Sequence, residues 1–280
     1  MKLLFSCLLV LASLRLHAQQ LSIHPRSGEA LSGSAFARSI SDSTLSIEER
    51  EERIYKEIRS GNIPGFYRNL AAVSDSIMIR GTLHVIRYYV LPDFLAIGHD
   101  DDYFYCPMRP ALAQRIADLF NCSLPTRKIS DRIYKRADIK MVPRPIPPTK
   151  AMVTVPVFMQ HNELLAEQRR EAMDQYPLGK LVAGNKKDIV ISNKIYTTDG
   201  RSHVVIFGWH QPGGKAIQPL YNGHDANWAD YSHGLRLVQN KIWVDGRRTS
   251  IRRILKSADL HILLSDEGPI KKPRYPLTTD

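Results

Sequence analysis

Three short runs of β-branched and aromatic residues, SIMIRG, TLHVIRYYVL and DFLAIG, constrain the fold more than any other feature of the sequence. Gly81 separates the first run from the second, and Pro92-Asp93 precedes the third. Runs of this length, bounded by turn-forming residues, predict strands that pair antiparallel. Helical patterns follow at residues 110–120 and at about 128–137, and further strand and helix patterns alternate irregularly towards the C-terminus. The sequence therefore predicts an α+β fold with mostly antiparallel strands and several helices, rather than repeated βαβ units.

Composition changes divide the chain into five segments. We expect a signal peptide at residues 1–18, a flexible serine- and glycine-rich tether at 19–45 and an N-terminal α+β lobe at 46–142. A proline-rich connector at 143–150 would then lead to a C-terminal lobe at 151–280, because proline lacks the backbone donor that a central strand or helix interior needs. These segments would form either one mixed-sheet domain or two closely packed lobes.

The first eighteen residues have a basic start, a short apolar run and a small residue, Ala18, at the exit. This order is typical of a secretory signal peptide, so we expect a secreted or periplasmic protein cleaved after Ala18. Removal of Lys2 and Arg15 would lower the formal net charge from +11 to +9. A basic exported protein is expected to meet an anionic or glycan polymer of the envelope rather than nucleic acid, and no later segment is long enough to span a membrane.

Two cysteines remain after the leader, Cys106 and Cys122, and a helix is predicted between them. Eleven helical residues span about 16 Å, whereas the Cα atoms of a disulfide lie within about 7 Å. The two thiols are therefore predicted to be free. The motifs of nucleotide-binding loops, HExxH zinc proteases and GxSxG hydrolases are absent.

The candidate site lies in the stretch NGHDANWADYSHG, residues 222–234, which reads as irregular and rich in titratable groups. We predict His233 as the general acid or base, Asp230 as its orienting carboxylate, and His210 converging on the same site from the end of the preceding strand. Trp228 and Tyr231 would contact substrate, and His224 would contact substrate or a metal such as zinc. The cofactor is otherwise undetermined, and a tight turn before the next strand is the structural alternative.

Two charged segments supply further candidates. Lys187 and Asp188 directly precede a strand and would contact substrate, as would Gln218 in the strand pattern AIQPL. The acidic run Asp100–Asp102 offers oxygen ligands to a hard cation, although it lacks the glycine and glutamate of a calcium loop.

These observations predict a secreted hydrolase that acts on an envelope or extracellular polymer, a glycan or peptidoglycan, through a His/Asp site. A non-catalytic cell-wall or polysaccharide-binding protein is the alternative from another class. A third hypothesis is a cysteine hydrolase, because Cys106, His233 and Asp245 follow the chain order of papain-like enzymes.

Overall fold

The computed structural model describes residues 19–198 and 200–277, so the expected leader lies outside the described residues. Within these ranges there are six α-helices and fourteen strands. The helices are α1 Gly33–Ser39, α2 Ile47–Arg59, α3 Pro110–Leu119, α4 Arg127–Arg136, α5 Val155–Glu171 and α6 Ile251–Lys256. The strands are β1 Ala71–Ile79, β2 Thr82–Val90, β3 Ala96–His99, β4 Asp102–Tyr105, β5 Cys122–Ser123, β6 Ile139–Lys140, β7 Val182–Ala183, β8 Lys187–Ile189, β9 His203–His210, β10 Ala216–Asp225, β11 His233–Gly234, β12 Val238–Gln239, β13 Lys241–Val244 and β14 Arg247–Ser250.

Local sequence signals account for several of these elements. Strands β1 and β2 form an antiparallel hairpin whose two-residue turn, Arg80-Gly81, has positive φ at both positions, which matches the twist of the strands. Helix α2 begins with a reciprocal cap in which Ser46 Oγ accepts from the backbone N–H of Glu49, and the Glu49 carboxylate accepts from that of Ser46. Helix α3 begins with Pro110, where the missing N–H costs nothing.

The strands form two larger sheets and two small pairs. One sheet has the order β14-β13-β2-β12-β5, with β1 added beside β2, and the other has the order β10-β9-β8-β11. Among the described strands only β6–β7 and β8–β11 pair parallel, and the rest pair antiparallel. The fold is α+β, as predicted.

The two predicted lobes share one sheet and one core. Strands β12 and β13, from the C-terminal half, pair with β2 of the N-terminal half. The buried side chains form one continuous cluster, which includes Phe36, Ile54, Tyr88, Ile133 and Ile206. The chain therefore forms a single domain rather than two lobes.

The predicted tether is an ordered part of this domain, so that prediction is wrong for residues 32–40. Gly33 of α1 lies against the backbone of Tyr103 and Phe104 in β4, and Phe36 is buried. The Asp102 carboxylate accepts hydrogen bonds from the backbone and hydroxyl groups of Ser34 at 2.9 and 2.6 Å. These contacts connect α1 to a hairpin almost seventy residues away, which a local serine-rich pattern does not reveal.

The proline-rich segment at residues 143–149 contains no helix or strand, and it is hydrogen-bonded to Tyr231. The backbone N–H of Ile146 donates a hydrogen bond to the Tyr231 hydroxyl at 2.8 Å. The same hydroxyl donates a hydrogen bond to the Ile146 carbonyl at 3.0 Å. No helix in the described part of the chain has the length and apolar character that a membrane span requires.

Candidate active site

Four strands align the candidate residues in one row across the smaller sheet. Lys187 of β8 pairs with Gly208 of β9 on one side and with His233 of β11 on the other, and Gly208 pairs in turn with Gln218 of β10. Lys187 and His233 therefore face the same side of the sheet. Gln218 lies at the outer end of this row, where its amide donates to the neighbouring Pro219 carbonyl.

Asp230 is the polar centre on that side. Its Oδ1 accepts hydrogen bonds from the backbone and hydroxyl of Ser232, at 2.8 and 2.5 Å. Its Oδ2 lies 3.3 Å from the indole nitrogen of Trp228 and 3.7 Å from Nε2 of His233. Burial alone would raise the pKa of Asp230, but the charge of His233 when it is protonated, the charge of Lys187 and the Ser232 hydrogen bonds outweigh burial and hold the pKa well below its usual range.

His233 is completely buried, and neither ring nitrogen has a hydrogen-bond partner within residues 19–198 and 200–277. The 3.7 Å separation from Asp230 is longer than a hydrogen bond. Burial lowers the pKa of His233 to about 4, although the Asp230 carboxylate acts in the opposite direction. The imidazole is therefore neutral at pH 7 and able to accept a proton.

A stacked aromatic pair lies beside Asp230. The rings of His224 and Trp228 are nearly parallel, with centroids 4.5 Å apart, and both residues are half-buried. His224 belongs to β10, which extends through Asp225, so the beginning of the stretch predicted to be irregular is a strand. Burial lowers the pKa of His224, and the nearby Lys187 charge acts in the same direction.

A buried lysine completes the floor of the site. The ammonium of Lys186 donates to the Tyr231 carbonyl at 2.6 Å and lies 3.2 Å from Nδ1 of His161 in α5. Burial lowers the pKa of Lys186 to about 7, and burial together with the Lys186 charge lowers that of His161 to about 2. The name Asp230 cluster is used below for these groups, namely His161, Lys186, Lys187, Trp209, His224, Trp228, Asp230 and His233.

Three residues of this cluster were not among the predicted site residues. His161 shares the buried face of α5 with Phe158 and Leu165. A histidine on a largely apolar helix face is the signal that could have found it. Lys186 directly precedes the predicted Lys187, and Trp209 directly precedes the predicted His210.

His210 does not join the cluster, so its predicted convergence with His233 is wrong. A regular strand would direct residues 208 and 210 to the same side of the sheet, but Gly208 and Trp209 both have positive φ, at 118° and 58°. Trp209 consequently lies beneath the Lys187 ammonium, 5.0 Å from ring centroid to nitrogen. His210 instead packs edge-on against Phe207. Phe207 pairs with Asp188, so His210 lies with the Asp188 row of the sheet rather than with the Lys187 row.

His210 forms a separate polar group with two carboxylates. Its Nε2 lies 2.9 Å from Oδ1 of Asp131 in α4, and its ring stacks on Tyr134 at 4.3 Å. The second carboxylate is that of Asp188, which lies beside Gly208 together with His210. A Cβ built on Gly208 would be 3.7 Å from His210 Nδ1 and 3.7 Å from an oxygen of Asp188. Burial raises the pKa of Asp188 to about 6. The predicted neighbours Lys187 and Asp188 are thus directed to different groups, which follows from strand alternation.

Tyr231 is less available to a substrate than predicted, because its hydroxyl is used twice by the proline-rich segment. The cysteine-hydrolase hypothesis also fails geometrically. The Cys106 thiol is buried against the Phe104 carbonyl, and Asp245 pairs with His84 rather than with His233. Both cysteines are free, as predicted.

The described residues contain no preformed metal site. No group of three or more His, Cys, Asp or Glu side chains in residues 19–198 and 200–277 is arranged to hold a metal ion. His224 stacks on Trp228, and the oxygens of Asp100 and Asp102 accept hydrogen bonds from Phe66 and Ser34. Comparison of the chain with protein-family models, curated proteins and solved structures found no match to any of them.

Proposed function

We propose that the protein is a secreted hydrolase of an envelope or extracellular polymer, a glycan or peptidoglycan, and that His233 and Asp230 are its acid–base pair. The leader would be removed after Ala18. The observation that carries the proposal is the isolation of a neutral, unpartnered imidazole beside an ionised carboxylate. Titratable groups perturbed by burial and by one charged partner are concentrated at functional sites.

The chemistry follows from the charges of the pair. His233 would accept a proton from the attacking water, because its imidazole is neutral at pH 7. Asp230 would stabilise the imidazolium formed in that step, and the same proton would then pass to the leaving group. Because His233 is buried, side chains around it would have to move before a substrate could reach it. The exposed part of the Trp228–His224 stack offers a flat surface for a sugar ring.

The test uses purified mature protein with peptidoglycan sacculi and a panel of acidic and neutral polysaccharides, and it measures released reducing ends and soluble fragments. His233→Asn and Asp230→Asn are expected to lower the rate by at least about 100-fold, the usual contribution of a general acid–base group. The exposed His24→Asn is the matched control and is expected to retain the wild-type rate. Equal rates in the His233 and His24 variants would refute the assignment.

A non-catalytic polymer-binding protein remains the second candidate, and a basic groove along α4 favours it. Asp131 and Lys135 contribute to two adjoining depressions of about 620 and 360 Å³, which Lys128, Arg136 and Lys140 also line. In the described part of the chain, Lys135, Arg136 and Lys140 form no ion pair. Salt-sensitive co-sedimentation with an insoluble acidic polymer, lost in Lys135→Glu but accompanied by no cleavage, would favour this function over hydrolysis.

A further inference from the structure

The Asp230 cluster holds a buried hydrogen-bond donor that no acceptor in the described part of the chain satisfies. This donor is the indole N–H of Trp209. Leaving a buried donor unsatisfied is unfavourable, which favours an acceptor beside Trp209.

Lys187 adds a positive charge that has no direct ion-pair partner among the described residues. Among the described residues its ammonium forms no ion pair and donates no hydrogen bond, although the side chain is half-buried beside the Trp209 ring. Asp230 is the carboxylate whose charge acts on Lys187. Both oxygens of Asp230 already accept hydrogen bonds, Oδ1 from Ser232 and Oδ2 from the indole of Trp228.

A second carboxylate, that of Asp93, lies near Lys186 but forms no ion pair with Lys187 in the described part of the chain. Asp93 acts on Lys186 from the side of Tyr105, whose hydroxyl it binds at 2.6 Å. Its other oxygen accepts from the backbone of Phe94 and the amide of Asn185, at 2.7 and 3.3 Å. Asp230 and, more weakly, Asp93 act on the Lys186 charge, so Lys187 shares the single charge of Asp230 with Lys186.

We propose that Lys187 and the indole N–H of Trp209 form a receptor for a carboxylate group of the substrate, beside the Trp228–His224 stack. An ammonium and a neighbouring N–H match the two oxygens of a carboxylate. The adjacent negative charge of Asp230 would disfavour a doubly charged phosphate, which selects a monoanion. This inference rests on the proposed function, because it names the group of the polymer that the site takes: a uronic acid, or a carboxylate of peptidoglycan.

The test measures binding without requiring hydrolysis. Sodium acetate and glucuronate are titrated into the mature protein, with glucose as the neutral analogue of glucuronate, and binding is followed by tryptophan fluorescence and calorimetry. We expect both carboxylates to bind at the same site and glucose to bind at least ten-fold more weakly. Lys187→Met, which keeps an apolar chain of similar length, is expected to weaken carboxylate binding at least ten-fold.

Two further variants make each result decisive. Lys256→Met removes an exposed charge from α6 and is expected to leave binding unchanged. Trp209→Phe removes the donor while keeping an aromatic ring beneath Lys187, and it is expected to weaken binding several-fold. It serves as the deciding variant should Lys187→Met not fold. Glucuronate binding equal to glucose binding, or carboxylate affinity equal in the Lys187 and Lys256 variants, would overturn the proposal.

The two proposals fail in distinguishable ways. Lys187-dependent carboxylate binding with no cleavage of any polymer would keep the receptor and reject the hydrolase. Cleavage that depends on His233, without carboxylate binding that depends on Lys187, would keep the hydrolase and reject the receptor.

Discussion

At the scale of single residues, the buried His233 makes the stability of the protein depend on pH. Its pKa is lowered from an ordinary value of 6.5 to about 4, because burial disfavours the charged imidazole. Between these values the unfolded chain binds a proton that the folded protein excludes. The His233 contribution is therefore fully present above pH 6.5 and is lost as the pH falls towards 4, by about 3 kcal/mol in total.

His233→Asn is expected to remove this dependence. The free energy of unfolding, measured with urea at intervals from pH 7 to pH 4, should fall less in the variant than in the wild type, by about 3 kcal/mol over the interval. Burial also lowers the pKa of His161 and raises that of Asp188. Both groups are present in the variant and in the wild type, so their contributions to the free energy of unfolding cancel in the comparison. Parallel curves for the two proteins would show that His233 is not shielded from water as described.

At the scale of secondary-structure elements, the packing of α1 replaces the predicted tether. Gly33 is necessary because a Cβ there would lie 2.5 Å from the Tyr103 Cα and from the Phe104 nitrogen. These are backbone atoms of β4, which cannot move aside as a flexible side chain would. The close approach places the Ser34 donors against Asp102.

Gly33→Ala is expected to destabilise the protein, although alanine is ordinarily the better helix residue by about 0.5–1 kcal/mol. Overpacking typically costs about 1–3 kcal/mol, so the melting temperature should fall by several degrees. Gly28→Ala is the matched control, because a Cβ at residue 28 meets nothing within 4 Å. A melting temperature that rises in Gly33→Ala would mean that α1 does not pack on β4.

At the scale of the whole molecule, both thiols lie within the shared core. Burial raises the pKa of the Cys106 thiol well above its usual value and that of Cys122 to about 12. Helix α3, about 15 Å long, separates the two residues along the chain.

The thiols are therefore expected to react slowly in the folded protein and completely after unfolding. Labelling with a chromogenic disulfide reagent should find almost no reactive thiol at neutral pH, and two per mature chain in guanidinium without reductant. Rapid labelling of the native protein would contradict the burial of these residues. No labelling after unfolding would instead indicate a disulfide between chains.

The sequence by itself determined the features whose causes are local. The Arg80-Gly81 turn, the Ser46–Glu49 cap and Pro110 at a helix start act within a few residues, so the α+β class and the ends of several elements could be predicted. The association of Asp230 with His233, Trp228 and His224 was predictable for the same reason, because these four residues lie within ten positions of one another.

Only the tertiary structure decided which distant groups complete the site. Positive φ at Gly208 and Trp209 directs Trp209 towards Lys187 and carries His210 to Asp131, against the alternation of a regular strand. His161 of α5 lies 3.2 Å from the Lys186 ammonium, although the two residues are 25 positions apart in the sequence. Helix α1 is ordered by contacts with β4 almost seventy residues away. Each outcome depends on the free energy of contacts between remote segments, which short-range sequence patterns do not encode.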